Sequence, residues 1–137
     1  MDYIYRTKIR LHDTDAAGRL FFSNQFKIFH DAYESMLSDI GFGFSGILLD
    51  QKFFLPIVHA EADYKAPLFV DDPIETRVRV ADIGRTSFTL AYEMFQSARG
   101  TVVGTGKTVH VTVDKDTGRK INLPTLFLEK ITALRDG

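Results

Sequence analysis

Two carboxylates stand two residues apart in Asp13-Thr14-Asp15-Ala16-Ala17-Gly18, a run of small side chains that leads into an amphipathic segment. A carboxylate just upstream of a helix start lies near backbone N–H groups that the helix leaves unpaired, at the positive end of its dipole. Such a pairing can do acyl chemistry. The carboxylate acts as base or nucleophile on an activated carbonyl, and the N–H groups hold the oxyanion that results. Short acidic turns also serve a purely structural purpose, because Asp side chains hydrogen-bond the backbone of their own turn. A calcium loop is excluded: Ala17 takes its third ligand position, and Asn24 stands where the closing bidentate Glu belongs.

Other residues qualify for a site. His30 and Glu34 are four apart, either a polar pair facing a pocket or an ordinary i,i+4 pair on a helix. His59 lies in a strand-like stretch, facing a pocket or satisfied within a sheet. Arg85 falls in a short turn with Ser87 close behind. His12 and His110 have no partner at zinc-ligand spacing, and the chain has no Cys, which removes thiolate chemistry and disulfides. No metal and no separate cofactor is expected.

These residues need a frame. Tyr3, Tyr5, Thr7, Ile9 and Leu11 alternate with Ile4, Arg6, Lys8 and Arg10, the period of a half-buried strand. Ser23 or Asn24 can then cap a helix. Between Asn24 and Ile40, Phe26, Phe29, Tyr33, Met36 and Ile40 recur at helical spacing, with Ala32 and Leu37 widening the stripe. Gly41 can end that helix in a left-handed conformation, with residues 41–46 continuing as a loop. Four strands follow, over 55–64, 74–81, 87–95 and 101–114, with hairpin turns at 82–85 and 97–100. Residues 126–134 form a short terminal helix. Gly104 and Gly106 break the last strand, as at a bulge or a close approach.

Strand, long helix and four more strands describe one α+β domain over residues 1–137. A curled five-stranded antiparallel sheet wraps around one long central helix. Hydrophobic residues form 45% of the chain, enough for one core. Its net charge of -1 gives no broad positive field to gather nucleic acid or an anionic membrane. The amino terminus lacks the basic-then-apolar pattern of a signal peptide, so a cytoplasmic location is expected. Open sheet edges call for pairing between copies, as a dimer or a dimer of dimers.

Asp13-Thr14-Asp15-Ala16-Ala17-Gly18 ahead of this helix resembles the signature of the 4-hydroxybenzoyl-CoA thioesterase family, which has the hotdog fold, and the order of elements agrees. The resemblance implies an acyl-CoA thioesterase that releases a free acid and coenzyme A, the latter being part of the substrate. It makes Asp15 the catalytic carboxylate and gives Phe22 or Ser23 a backbone N–H that holds the thioester oxygen. It puts Arg85 and Ser87 near coenzyme A phosphates, and a pocket for the acyl group is what His30, Glu34 and His59 would face as substrate-binding residues. His30-Asp31-Ala32-Tyr33-Glu34 and Leu55-Pro56-Ile57-Val58-His59-Ala60 are similar to the branch acting on 1,4-dihydroxy-2-naphthoyl-CoA. The abundant Phe favours a flat aromatic acyl group over a long alkyl chain, and the resemblance implies 1,4-dihydroxy-2-naphthoyl or 4-hydroxybenzoyl. The alternatives are a hotdog acyl-thioester hydratase or dehydratase, and a non-catalytic acyl-CoA-binding module.

Overall fold

The structure is a computed structural model that describes Asp2–Gly137, with Leu48 described by its backbone alone. Strand β1 (Tyr3–Lys8) leads through a 3-10 turn at Leu11–Asp13 to helix α1 (Asn24–Asp39) and a short helix α2 (Phe44–Leu49). Then come β2 (Phe53–Phe54), β3 (Ile57–Tyr64), β4 (Pro73–Ile83), β5 (Ser87–Gln96), β6 (Thr101–Val111), β7 (Val113–Asp114) and helix α3 (Thr125–Asp136). Five strands form one antiparallel sheet in the order β1-β4-β5-β6-β3, and β2 pairs with β7 apart from it.

Period-two alternation sets the faces of this sheet. Ile74, Val78 and Val80 of β4 and Phe88, Leu90, Tyr92 and Met94 of β5 are buried. Against them α1 lays Ile28, Phe29, Ala32, Tyr33, Met36 and Leu37. The expected stripe is shifted slightly, since Phe26 and Ile40 are only half-buried while Gln25 and Ile28 are inside. Helix α3 closes one end, where the Phe127 ring sits 5.1 Å from Phe42 and 5.5 Å from Phe88.

Gly41 ends α1 as expected, at φ +90°, and the Phe42 N–H reaches back to the Leu37 carbonyl at 2.8 Å. Three local expectations differ. The segment after Gly41 is not all loop, because Phe44 opens α2 and puts its ring 5.5 Å from Tyr33. Leu11 is 75% exposed because the chain leaves the sheet after Ile9 and turns into the 3-10 segment. Neither Ser23 nor Asn24 caps α1: Ser23 already has helical dihedrals and makes no side-chain cap bond, and the Asn24 side chain donates instead to the Asp13 carbonyl at 2.8 Å.

Both glycines of β6 serve close approaches. A Cβ at Gly104 would lie 2.6 Å from the Gln25 amide, and one at Gly106 would lie 2.6 Å from the Phe29 ring and from the Glu61 carbonyl. A register shift between Met94 and Phe95, opposite Gly104 and Val102, adds the bulge.

Candidate active site

The loop between the 3-10 turn and α1 divides its two carboxylates by role. Asp13 is buried, and its carboxylate accepts the Arg10 N–H at 2.9 Å and the Lys27 ammonium at 3.1 Å. Burial alone would raise its pKa, but the Arg10 N–H, Lys27 and His12 together outweigh that and hold it below the ordinary value. Its carbonyl accepts the Phe21 N–H at 3.0 Å and the Asn24 amide, so Asp13 ties the loop to the start of α1.

Asp15 is exposed. Its N–H donates to the Arg19 carbonyl at 2.8 Å, the Gly18 N–H returns to its own carbonyl at 2.9 Å, and Gly18 takes φ +76° to close this tight turn. The carboxylate Oδ1 accepts the Ala17 N–H at 2.9 Å and the Arg19 N–H at 3.3 Å. Among the described residues nothing donates to Oδ2, so one oxygen anchors the side chain and the other is left open.

Asp15 lines a cleft of about 400 Å³ together with Arg19, Phe22, Gln25, Tyr64 and Lys65 among others. Its volume is in the range of small-molecule sites. Phe22 enters it from the last turn before α1. The N–H groups of Asn24, Gln25 and Phe26 already donate to the carbonyls of Phe21, Phe22 and Ser23. Those of Phe22 and Ser23 donate to nothing among the described residues, which leaves two donors free at the positive end of α1. Asp15 and Phe22 therefore come together as expected. Ser23 adjoins them but does not line the cleft.

The remaining candidates are dispersed. His30 Nδ1 and Glu34 Oε1 are 2.9 Å apart on α1, and His30 borders a second, smaller cavity. His59 is a correction within one chain. It projects from the opposite face of β3, where its Nε2 meets Glu61 Oε1 at 2.9 Å beside Lys107, and Ala60 takes the cavity-facing position. Arg85 and Ser87 form the β4–β5 turn at the far end of the sheet from Tyr64 and Asp15, so one chain does not bring them to the cleft. No three His, Asp or Glu among the described residues converge as metal ligands.

Sequence reasoning missed Gln25, Tyr64 and Lys65. Gln25 is almost wholly buried, and its amide donates to the carbonyls of Asp63 and Thr105 at 3.1 and 3.4 Å, tying the first turn of α1 to β3 and β6. A polar residue on the apolar side of a helix was the available signal. Tyr64 and Lys65 carried none beyond the Pro67 that follows. Arg19 and Lys65 give the rim of the cleft two cations against the single Asp15 carboxylate, a bias toward an anionic ligand.

A family model described as the thioesterase-like superfamily matches residues 9–131. A 1,4-dihydroxy-2-naphthoyl-CoA hydrolase from Synechococcus elongatus is 34% identical over 124 residues, which is 90% of each chain. Among solved structures, a 1,4-dihydroxy-2-naphthoyl-CoA thioesterase from Synechocystis superposes with a TM-score of 0.92 at 28% identity, covering 98% of each chain. A gentisyl-coenzyme A thioesterase superposes with a TM-score of 0.81 at 28% identity, covering 90% of this chain and 97% of the other. The curled sheet around α1 is the hotdog fold of these enzymes, and the chain belongs to the thioesterase-like superfamily.

Proposed function

We infer that the chain is an acyl-CoA thioesterase in which Asp15 drives hydrolysis and the free N–H groups before α1 hold the oxyanion. The observation that carries this reading is that one cleft is lined by both Asp15, whose Oδ2 has no donor among the described residues, and Phe22, whose N–H is unpaired among them. In the general-base route, Asp15 takes a proton from water as its oxygen attacks the thioester carbon. The tetrahedral oxyanion then collapses, the C–S bond breaks, and the thiolate of coenzyme A leaves and is protonated. In the nucleophilic route, Asp15 itself attacks, and water cleaves the mixed anhydride. Single-turnover hydrolysis in oxygen-18 water tests the second, since water that attacks the aspartyl carbonyl carbon of the anhydride leaves label in the Asp15 carboxylate, which the general-base route never does.

The relatives' activities support an aromatic acyl group, with 1,4-dihydroxy-2-naphthoyl-CoA as the first substrate to try. We infer also that two or more copies assemble through β3, an edge strand whose Ile57 and Val58 are 42% and 58% exposed. Arg85 and Ser87 then approach a nucleotide at the cleft from a second copy.

Thiol release by wild type and Asp15→Asn tests the assignment. The substitution keeps size and fold, and kcat is expected to fall about 10²- to 10⁴-fold with little change in substrate affinity. Retention of more than about a tenth of kcat removes Asp15 from the chemistry.

A further inference from the structure

Gln25 lines the cleft beside Asp15 from the first turn of α1, and it is buried. Its Nε2 donates to the carbonyls of Asp63 and Thr105 at 3.1 and 3.4 Å. Carbonyls only accept, so these two partners fix which end of the amide is nitrogen. A Cβ at Gly104 would come within 2.6 Å of Nε2, 2.7 Å of Oε1 and 2.8 Å of the amide carbon, so the amide lies face-on against a residue without a side chain. The polar atom this side chain has left is Oε1, and among the described residues nothing donates to it. It is not sealed in the core either: the enclosed side-chain atoms without a partner are the hydroxyls of Tyr33, Thr76 and Thr112, and His110 Nδ1. Oε1 therefore keeps a small opening, and the opening that Gln25 borders is the cleft.

The polar groups at and beside the cleft sort by what they lack. Asp15 Oδ2 and Gln25 Oε1 are acceptors without a donor among the described residues, and the Phe22 and Ser23 N–H groups are donors without an acceptor. The Tyr64 hydroxyl proton is already spent on the Phe22 carbonyl. A thioester carbonyl has lone pairs and no proton, so it matches the N–H groups and neither acceptor. Water carries two protons and attacks through a lone pair. The nucleophile of hydrolysis is thus the reactant that answers two acceptors at once.

We propose that Gln25 positions the attacking water of the general-base route, accepting one of its protons at Oε1 while Asp15 takes the other. The inference rests on the thioesterase reading of the Asp15 cleft and adds the residue that holds the second reactant. The water oxygen bonds to the acyl carbon as one proton passes to Asp15, and the proton held by Gln25 stays on the oxygen that becomes the hydroxyl of the acid. Collapse breaks the C–S bond, and the proton on Asp15 goes to the departing thiolate, which leaves acid, thiol and the Asp15 carboxylate. An amide oxygen suits this place because it orients water without titrating, so it does not compete with Asp15 for the proton. Holding the water in line removes orientational freedom that the reaction would otherwise lose at the barrier.

The test offers the enzyme a second nucleophile. Hydroxylamine attacks a thioester without first losing a proton, so it depends far less than water on acceptors that orient it. Thiol, free acid and hydroxamate are measured together for the fastest substrate among 1,4-dihydroxy-2-naphthoyl-, 4-hydroxybenzoyl-, benzoyl- and butyryl-CoA, with the uncatalysed rate subtracted. Gln25→Met keeps the length of the side chain and removes the acceptor. It is expected to lower kcat for hydrolysis about tenfold with KM nearly unchanged, and to raise the ratio of hydroxamate to acid about fivefold or more. Gly104→Ala keeps every polar atom and displaces the amide; it is expected to raise the ratio as well, and it serves where Gln25→Met fails to fold. A purely structural tether would misplace Asp15 and the N–H groups for both nucleophiles, so acid and hydroxamate would fall together. An unchanged ratio in Gln25→Met, or in Gly104→Ala where that is the variant that folds, overturns the proposal, as does oxygen-18 label in the Asp15 carboxylate. In those cases the thioesterase reading stands, whereas a wild type that releases no thiol from any of these substrates overturns both.

Discussion

The Tyr64 hydroxyl donates to the Phe22 carbonyl oxygen at 3.0 Å. That carbonyl shares one planar trans peptide with the Ser23 N–H, and the two groups point in opposite directions. By holding the oxygen, the end of β3 fixes where a free N–H before α1 is aimed. Tyr64→Phe keeps the ring, which meets Phe22 edge-on at 6.5 Å, and removes only the hydrogen bond. Its expected effect is a fall in kcat of about three- to tenfold, the worth of one hydrogen bond, with KM nearly unchanged. An unaltered kcat would take the Phe22–Ser23 peptide out of oxyanion stabilisation.

Asp13 supports the same loop by different means, as a buried carboxylate answered by Arg10, Lys27 and His12. Its pKa is depressed in the folded state, so its stabilisation is present above the unfolded value near 4 and is lost as pH falls through the folded value. Asp13→Ala is expected to cost about 2 to 3 kcal/mol at neutral pH, because Lys27 and the Arg10 N–H lose a charged partner. Chemical denaturation at pH 7 and pH 3 checks this, since the gap between variant and wild type should narrow in acid. The contrast with Asp15→Asn, which should melt near wild type, separates the loop's support from its chemistry.

The elements and the motif were readable because they follow local rules. The 3.6-residue recurrence through Phe29, Tyr33 and Met36 and the alternation of Ile74, Thr76 and Val78 each name a buried face without reference to the rest of the chain. Asp15 was likewise visible, although sequence offered its structural and chemical roles as rivals; in the structure Oδ1 holds the turn, and Oδ2 has no donor among the described residues. Tyr64 and Gln25 were not visible, because their relevance depends on β3 and β6 passing beside the first turn of α1. His59 was ambiguous for a related reason. A register shift between Ile57 and His59 sets which face of β3 it takes, and period-two counting does not locate such a shift.

Gly104 and Gly106 offer a graded test of how closely α1 must approach β6. At Gly106 a Cβ meets the Glu61 backbone carbonyl at 2.6 Å, which cannot swing away, whereas at Gly104 it meets the Gln25 side chain. Gly106→Ala is expected to destabilise by about 1 to 3 kcal/mol through overpacking. Gly104→Ala should cost less stability but more activity, because relieving the clash moves Gln25, whose amide ties the cleft wall to Asp63 and Thr105. Thermal melts alongside kcat for both variants check the ordering, and equal losses of activity per degree of melting would refute a special role for the Gln25 tether.

His110 carries the last prediction. It is fully buried, stacked on Phe88 at 4.8 Å and tilted against Tyr33 at 4.4 Å, and burial pushes its pKa down to about 4, with His30 adding to the effect. Unfolded, it titrates near 6.5. Above that value both states are neutral and pH has no leverage on this group. As pH falls from about 6.5, the unfolded chain takes up a proton that the native state refuses, so stability declines until the folded pKa of about 4 is reached. The loss over that window is on the order of 3 kcal/mol. It begins at higher pH than the loss at Asp13, so the two are separable in one titration. His110→Gln retains an amide donor for Thr108, whose Oγ1 is 2.7 Å from His110 Nε2, and cannot titrate. Its denaturation midpoint is expected to be lower than wild type at pH 7.5 but nearly level between pH 7 and pH 4.5, where the wild-type midpoint falls. Parallel curves for the two proteins across that range would show that His110 is not the group responsible.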